Sequence, residues 1–63
     1  MARFVEFPSG ASGTPVSFNP DRVAAVRPDP NDPGAITIVR LADGEEVGVR
    51  GDYAEVVKRL AGG

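Results

Sequence analysis

The sequence predicts a mainly β protein of the α+β class: a small antiparallel sheet of four or five strands, curled toward a barrel, with one C-terminal helix. Short runs rich in β-branched and aromatic residues recur along the chain between clusters of Gly, Pro, Asn and Asp. Asp43-Gly44 lies between two such runs, as is typical of a β-hairpin. After Gly51, apolar residues recur at helical spacing.

The first predicted strand covers residues 3–7 and ends at Pro8. Apolar side chains occupy both of its faces, so the pattern does not decide whether the face with Phe4 or the face with Phe7 is buried. Residues 9–14 are rich in glycine and small polar residues. They lack the Lys-Ser/Thr ending of a phosphate-binding P-loop and no helix follows them, so we interpret them as a hairpin loop.

Two further strands, joined by a tight turn, are predicted next. Residues 16–18 alternate apolar and polar side chains, and residues 23–27 form a mostly apolar run that ends at a proline. Residues 19–22 are typical of a turn, because Asn and Asp side chains bond nearby backbone N–H groups and Pro presets φ. Residues 28–34 contain three prolines and no large apolar residue, so we expect an exposed loop there and not a calcium site.

Residues 35–41 predict a fourth strand with apolar side chains on both faces. This pattern is typical of a central strand or of a strand at a subunit interface. Ile36 and Ile38 share one of its two faces. After the Asp-Gly turn, Glu46–Arg50 predicts a fifth strand whose two valines point inward.

A helix of about ten residues is predicted for the final segment. Asp52 is placed to cap its N-terminus, Glu55 completes a capping-box pattern, and Gly62 supplies a left-handed stop. A helix this short is not stable alone in water, so we expect it to dock on the sheet through one apolar stripe. The stripe consists of Tyr53, Val56, Val57 and Leu60.

We expect the 63-residue chain to form one small domain over residues 1–63. Its amino-acid composition excludes several classes of function. It contains neither cysteine nor histidine, which excludes disulfides, thiolate nucleophiles and the commonest metal ligand and general base. We therefore expect a non-enzymatic protein without a metal or a cofactor. The net charge of −2 disfavours an obligate nucleic-acid binder, and no apolar run is long enough to span a bilayer. The expected location is the cytoplasm.

Arginines recur in the predicted strands, whereas the acidic residues concentrate in the turns. Arg3 lies in the first predicted strand, and Arg27, Arg40 and Arg50 are candidate contacts to an anionic partner. If the strands pair as predicted, some of these arginines form a patch on the outer side of the sheet. Such a patch suits an anionic partner, which is an acidic protein, a nucleotide or RNA. The alternative, which the sequence favours, is that exposed strand arginines resist edge-to-edge aggregation of the sheet.

The chain ends in Gly62-Gly63, which resembles the diglycine tail of ubiquitin-like proteins and sulfur carriers. In that resemblance, Gly63 is adenylated and then joined to a thiol or an amine. The β-grasp fold of those proteins reaches its tail from a strand, whereas this tail is predicted to leave a helix directly. A helix C-cap therefore explains the two glycines better.

Five short segments follow one another in the order strand, turn, strand, hairpin and helix. They are Val16-Ser17-Phe18-Asn19-Pro20-Asp21-Arg22-Val23 with Val26, then Ile36-Thr37-Ile38, Leu41-Ala42-Asp43-Gly44, Val47-Gly48-Val49 and Glu55-Val56-Val57. In this order they resemble the small FlbD/SwrD-type proteins linked to bacterial flagella and swarming, although residues 9–14 and 28–34 form loops that are long for that family. The resemblance implies a non-enzymatic accessory protein of bacterial or phage origin with no catalytic residues.

We therefore expect a small accessory or adaptor module that acts through protein–protein contacts, either with another protein or with copies of itself. Two alternatives stay open at this point. One is an anionic-ligand or nucleic-acid binder that uses the strand arginines, and the other is a modifier that uses the diglycine tail.

The sequence also predicts that the protein is a homo-oligomer. A domain of this size buries only about 60% of its unfolded surface, and this chain has no cysteine for a disulfide and no histidine for a metal site. Self-association or binding to a partner is therefore the remaining means of stabilisation. Size-exclusion chromatography with light scattering should give at least twice the chain mass of 6.6 kDa at micromolar concentration. A mass of one chain at every concentration would contradict the prediction.

Overall fold

The computed structural model describes residues 3–62, so Gly63 of the diglycine tail lies outside the described residues. Its strands form two antiparallel sheets, one of two strands and one of three in the order β3-β4-β5. The elements are β1 (Val5–Pro8), β2 (Pro15–Phe18), a 3₁₀ helix (Pro20–Arg22), β3 (Val23–Pro28), β4 (Ile36–Leu41), β5 (Glu46–Arg50) and α1 (Tyr53–Leu60). The predicted fold class, a mainly β protein with one C-terminal helix, is confirmed. Within residues 3–62, neither helix has the length and apolar character needed to cross a membrane.

A short backbone contact joins the two sheets and produces the predicted curl. Ser9, just after β1, forms an antiparallel bridge with Val49 of β5. The Gly10 N–H then donates to the Gly48 carbonyl at 2.9 Å. The β1–β2 hairpin is therefore attached to the edge of the three-stranded sheet, and the inner sides of both sheets enclose one core.

The first strand is shorter at its start than predicted, beginning at Val5 instead of Arg3. Its pairing with β2 starts at Val5–Phe18, because β2 ends at Phe18 and the chain then turns away through Asn19. The pairing also decides which face of β1 is buried. Phe7 pairs opposite Val16 on the inner side, whereas Phe4 lies before the strand and is 66% exposed.

The core consists of a small set of side chains from both sheets and the helix. The rings of Phe7 and Phe18 pack in a tilted arrangement with their centroids 6.2 Å apart. Thr37 is the one fully buried polar residue among those described, and its hydroxyl donates to the Gly51 carbonyl at 2.9 Å, which satisfies it. The buried hydrophobic residues are Phe7, Phe18, Val39, Val49, Val56 and Leu60.

Strand β4 is central, which is one of the two alternatives that its sequence pattern left open. It pairs with β3 on one side and with β5 on the other. Thr37 and Val39 are fully buried on its inner face, and Ile36 and Ile38 are half-buried on the opposite face. The two-sided apolar pattern therefore reflects a core on one side and a partly covered surface on the other.

Two predicted turns use the expected side-chain chemistry. Asn19 Oδ1 accepts a hydrogen bond from the Asp21 N–H at 3.0 Å and caps the 3₁₀ helix. In the hairpin between β4 and β5, Asp43 Oδ1 accepts from the Glu45 N–H at 2.9 Å. Gly44 there has φ +94°, a left-handed conformation that glycine adopts without steric cost.

Helix α1 has eight residues, not ten, and it docks through a narrower stripe than predicted. Asp52 Oδ1 accepts from the Glu55 N–H at 2.8 Å, which confirms the N-cap. Val56 is fully buried and Leu60 is nearly so, whereas Tyr53 is 45% exposed and Val57 is half-buried. At 3.6 residues per turn, Tyr53 and Val57 lie on the same side of the direction midway between Val56 and Leu60, so the docked face of the helix is turned away from both of them.

A contact that the sequence analysis missed joins α1 to the first strand. The Arg59 guanidinium carbon lies 4.4 Å from the centroid of the Phe7 ring, a cation–π arrangement. Its Nη2 donates to the Glu6 carbonyl at 2.7 Å. Arg59 thus covers the buried Phe7 and connects the end of the helix to β1. Its positive charge also interacts favourably with the dipole at the C-terminal end of the helix.

Replacing Val56 by Asp should unfold the domain, because it puts an unpaired carboxylate in the core of a protein whose total stability is only about 3–5 kcal/mol. Tyr53→Asp is the matched control, since Tyr53 lies on the same helix and is half-exposed. Circular dichroism melts should show no cooperative transition for the first variant and a melting temperature near that of the wild type for the second. A native melt for Val56→Asp would contradict the docking.

Replacing Arg59 by Ala should destabilise the fold by at least about 1 kcal/mol, because it removes both an exposed cation–π contact and a charged hydrogen bond. For a domain of this size that corresponds to a fall of about 4–8 °C in melting temperature. Lys58→Ala removes a neighbouring cation of the same helix turn and should leave the melting temperature within about 2 °C. Equal effects of the two substitutions would show that only helix charge matters.

Candidate functional site

The side of the three-stranded sheet that points away from the core forms one continuous surface, which we call the outer face. Residues directly opposite each other in an antiparallel pair project to the same side of the sheet. Ile38 pairs with Arg27 on β3 and with Gly48 on β5, and these three therefore share the outer face. In full, the outer face consists of Ala25, Arg27, Ile36, Ile38, Arg40, Glu46, Gly48 and Arg50.

All three arginines predicted as anion contacts lie on the outer face. Arg40 pairs opposite Ala25 and Glu46, and Arg50 pairs opposite Ile36. The side chains of Arg27, Arg40 and Arg50 are all exposed. The structure therefore brings these residues together on one surface, whereas Arg3 precedes β1 and lies outside the sheet.

One of the three arginines is partly neutralised. Arg27 Nη2 lies 3.3 Å from Glu46 Oε2, diagonally across β4. Both side chains are about half exposed, so water and salt weaken the pair. Within residues 3–62, Arg40 and Arg50 form no ion pair. The Arg50 guanidinium lies next to Gly13 of the β1–β2 loop, where a Cβ would be 3.1 Å from Nη1.

The centre of the outer face is apolar and contains a gap. Ile36 and Ile38 are half-buried there, and Gly48 beside Ile38 has no side chain. A Cβ on Gly10 would lie 3.1 Å from Ile36 Cδ1, so the β1–β2 loop approaches the sheet closely at this point. An open cleft of about 420 Å³ results, and it is lined by Ser9, Gly10, Ala11, Asp29, Ile36, Glu46, Val47 and Gly48.

The outer face carries more positive than negative charge, whereas acidic residues surround it. Three arginines and one glutamate occupy its strand positions, although the whole chain has a net charge of −2. Asp29 borders the face next to Ile36, and its carboxylate accepts the Asn31 N–H at 2.8 Å. The remaining acidic residues of this sheet lie in the loops at its two ends, so a positive surface is set in an acidic protein.

The sequence predicted that some of the strand arginines form a patch on the outer side of the sheet, but it did not reveal the apolar centre or the cleft of that surface. Alternation along β4 and along β5 already placed Arg40 with the two isoleucines and Arg50 with Gly48. The alignment of Arg27 with them depends on a register shift between Val23 and Ala25. No local pattern in the sequence marks that shift, and the cleft beside Gly48 depends on the long-range contact of the β1–β2 loop.

Comparisons of the chain with protein-family models, with curated protein sequences and with solved structures found no match. The resemblance to the FlbD/SwrD-type proteins stays a prediction.

Proposed function

We propose that the protein is a non-catalytic protein-interaction module, an accessory or adaptor protein, and that the outer face contacts its protein partner. The observation that carries this proposal is the pair Ile36 and Ile38, which lie half-buried on the outward side of the central strand. An apolar centre rimmed by arginines is the composition that protein interfaces favour.

The alternative explanation for the arginines, protection of sheet edges, accounts for only one of them. Arg27 lies on β3, which has a partner strand on one side. Arg40 lies on central β4, which is paired on both sides. β5 is covered near Arg50 by the bridge between Ser9 and Val49. Strands that are already paired need no protection from edge-to-edge association, so Arg40 and Arg50 support a binding role.

The dimensions of the outer face indicate a transient contact. It spans three strands and the six residues of β4, which is roughly 10 Å across the strands and roughly 17 Å along them. The product of these two lengths, roughly 170 Å², is well below the roughly 800 Å² that each partner buries in a standard stable interface. We therefore expect a dissociation constant in the micromolar range or weaker for this surface alone.

Site-specific photocrosslinking tests the proposal. Benzoylphenylalanine at exposed Ala25 on the outer face should give discrete polypeptide adducts in extracts of the cells that produce the protein. At exposed Ser17, on the outward side of the β1–β2 hairpin, it should give few. Adding Ile36→Ser to the Ala25 probe should suppress the adducts, while circular dichroism verifies the fold. Equal adducts at both positions, or none at Ala25, would refute the proposal.

A further inference from the structure

We infer that the outer face binds an acidic segment of its partner, in which two carboxylates flank an apolar residue in an extended chain. This inference rests on the proposed function and adds the chemistry and spacing of the segment. The geometry that carries it is the arrangement of Arg40 and Arg50, which form no ion pair with any of residues 3–62, at opposite ends of an apolar centre.

The register of the sheet sets the spacing. Arg50 lies beside Ile36, and Arg40 lies four residues further along β4. Since a strand rises about 3.3 Å per residue, the two arginine positions are separated by roughly 13 Å along the strand direction. Ile38 lies midway, with the side-chain gap at Gly48 next to it.

An extended peptide has the same repeat as the strand beneath it. Carboxylates at positions i and i+4 are therefore also roughly 13 Å apart, and position i+2 points to the same side. Aligned with β4, such a peptide places one carboxylate at each of Arg40 and Arg50 and an apolar side chain over Ile38. A guanidinium binds a carboxylate through two parallel N–H donors, which favours Asp or Glu at these ends.

A second copy of the chain does not fit this site. Two outer faces brought together would place arginines against arginines. The acidic residues of this chain are Glu6, Asp21, Asp29, Asp32, Asp43, Glu45, Glu46, Asp52 and Glu55. No two of these are four positions apart, so no segment of the protein supplies the required pattern.

Nucleic acid is also disfavoured by the composition of the surface. Single-stranded nucleic acids bind with bases stacked on aromatic side chains, and the outer face contains none. The acidic loops beyond both ends of the face, which include Asp32 and Asp43, repel a continuous polyanion. A short peptide with one carboxylate at each arginine extends less far toward these loops than a continuous polyanion does.

Selection from a random library of peptides about twelve residues long, displayed against the folded protein, tests the inference. The enriched peptides should contain Asp or Glu at i and i+4 with an apolar residue at i+2. A fluorescent copy of the consensus peptide should then lose at least about tenfold in affinity for the Arg40→Glu/Arg50→Glu variant. Raising the salt concentration should weaken the wild-type complex.

Three controls separate charge recognition from damage to the fold. Arg22→Glu/Lys58→Glu makes the same charge change at two exposed residues outside the outer face and should alter affinity by less than about twofold. Arg40→Gln/Arg50→Gln removes the charges without reversing them and should give an intermediate loss. A peptide with Lys in place of both acidic residues should bind the double-Glu variant better than it binds the wild type.

The inference is overturned if selection returns no peptide or peptides without the acidic pair. It is also overturned if the double-Glu variant binds as tightly as wild type, or if an oligothymidine competes for the same face. A polypeptide adduct at Ala25 together with any of these results would leave the proposed function in place and refute only the acidic segment. Failure of the Ala25 crosslink would refute the function itself.

Discussion

Burial of Val56 and Leu60 against the interior of the curled sheet is the contact on which the rest of the structure depends. These two residues of α1 supply a third of the six buried hydrophobic residues. An isolated helix of eight residues is unstable in water, so α1 forms only where the sheet receives it. The inner sides of β3 and β4 in turn depend on the helix for cover. Asp52 and Arg59 fix the two ends of α1, the first by capping and the second by its contacts with β1.

Because one side of the sheet packs against this core, the alternation of side chains determines which residues lie on the other side. Side chains alternate along a strand, so placing Val39 and Val49 inward sends Ile38, Arg40 and Arg50 outward. The hydroxyl of buried Thr37 bonds to the Gly51 carbonyl and thereby links β4 to the start of the helix. The backbone of the outer face is thus held on paired strands, so the proposed binding requires ordering of exposed side chains but not of the backbone.

Local patterns were enough to predict most of the elements, because apolar periodicity and turn residues act over short distances. β5 has the predicted bounds, and the Asn19 and Asp52 caps form as expected. Relations between distant residues were not predictable. The register shift at Ala25 decides which side of the sheet Arg27 occupies, since a slip of one residue moves a side chain to the opposite face. The contacts of Arg59 with β1 likewise join residues far apart in sequence.

Folding and binding therefore make separable demands on this chain. The core needs Val39 inward, but it places no constraint on the side chain of Arg40, which is exposed. If stability alone determined the amino-acid composition of the outer face, polar β-branched residues would favour the strand there as well as isoleucine does. They would also leave less apolar surface in contact with water. The proposed contact surface rests instead on two isoleucines, a side-chain gap at Gly48 and two arginines without ion pairs among the described residues. Because none of them supports the core, each can be replaced to test binding while the fold is retained.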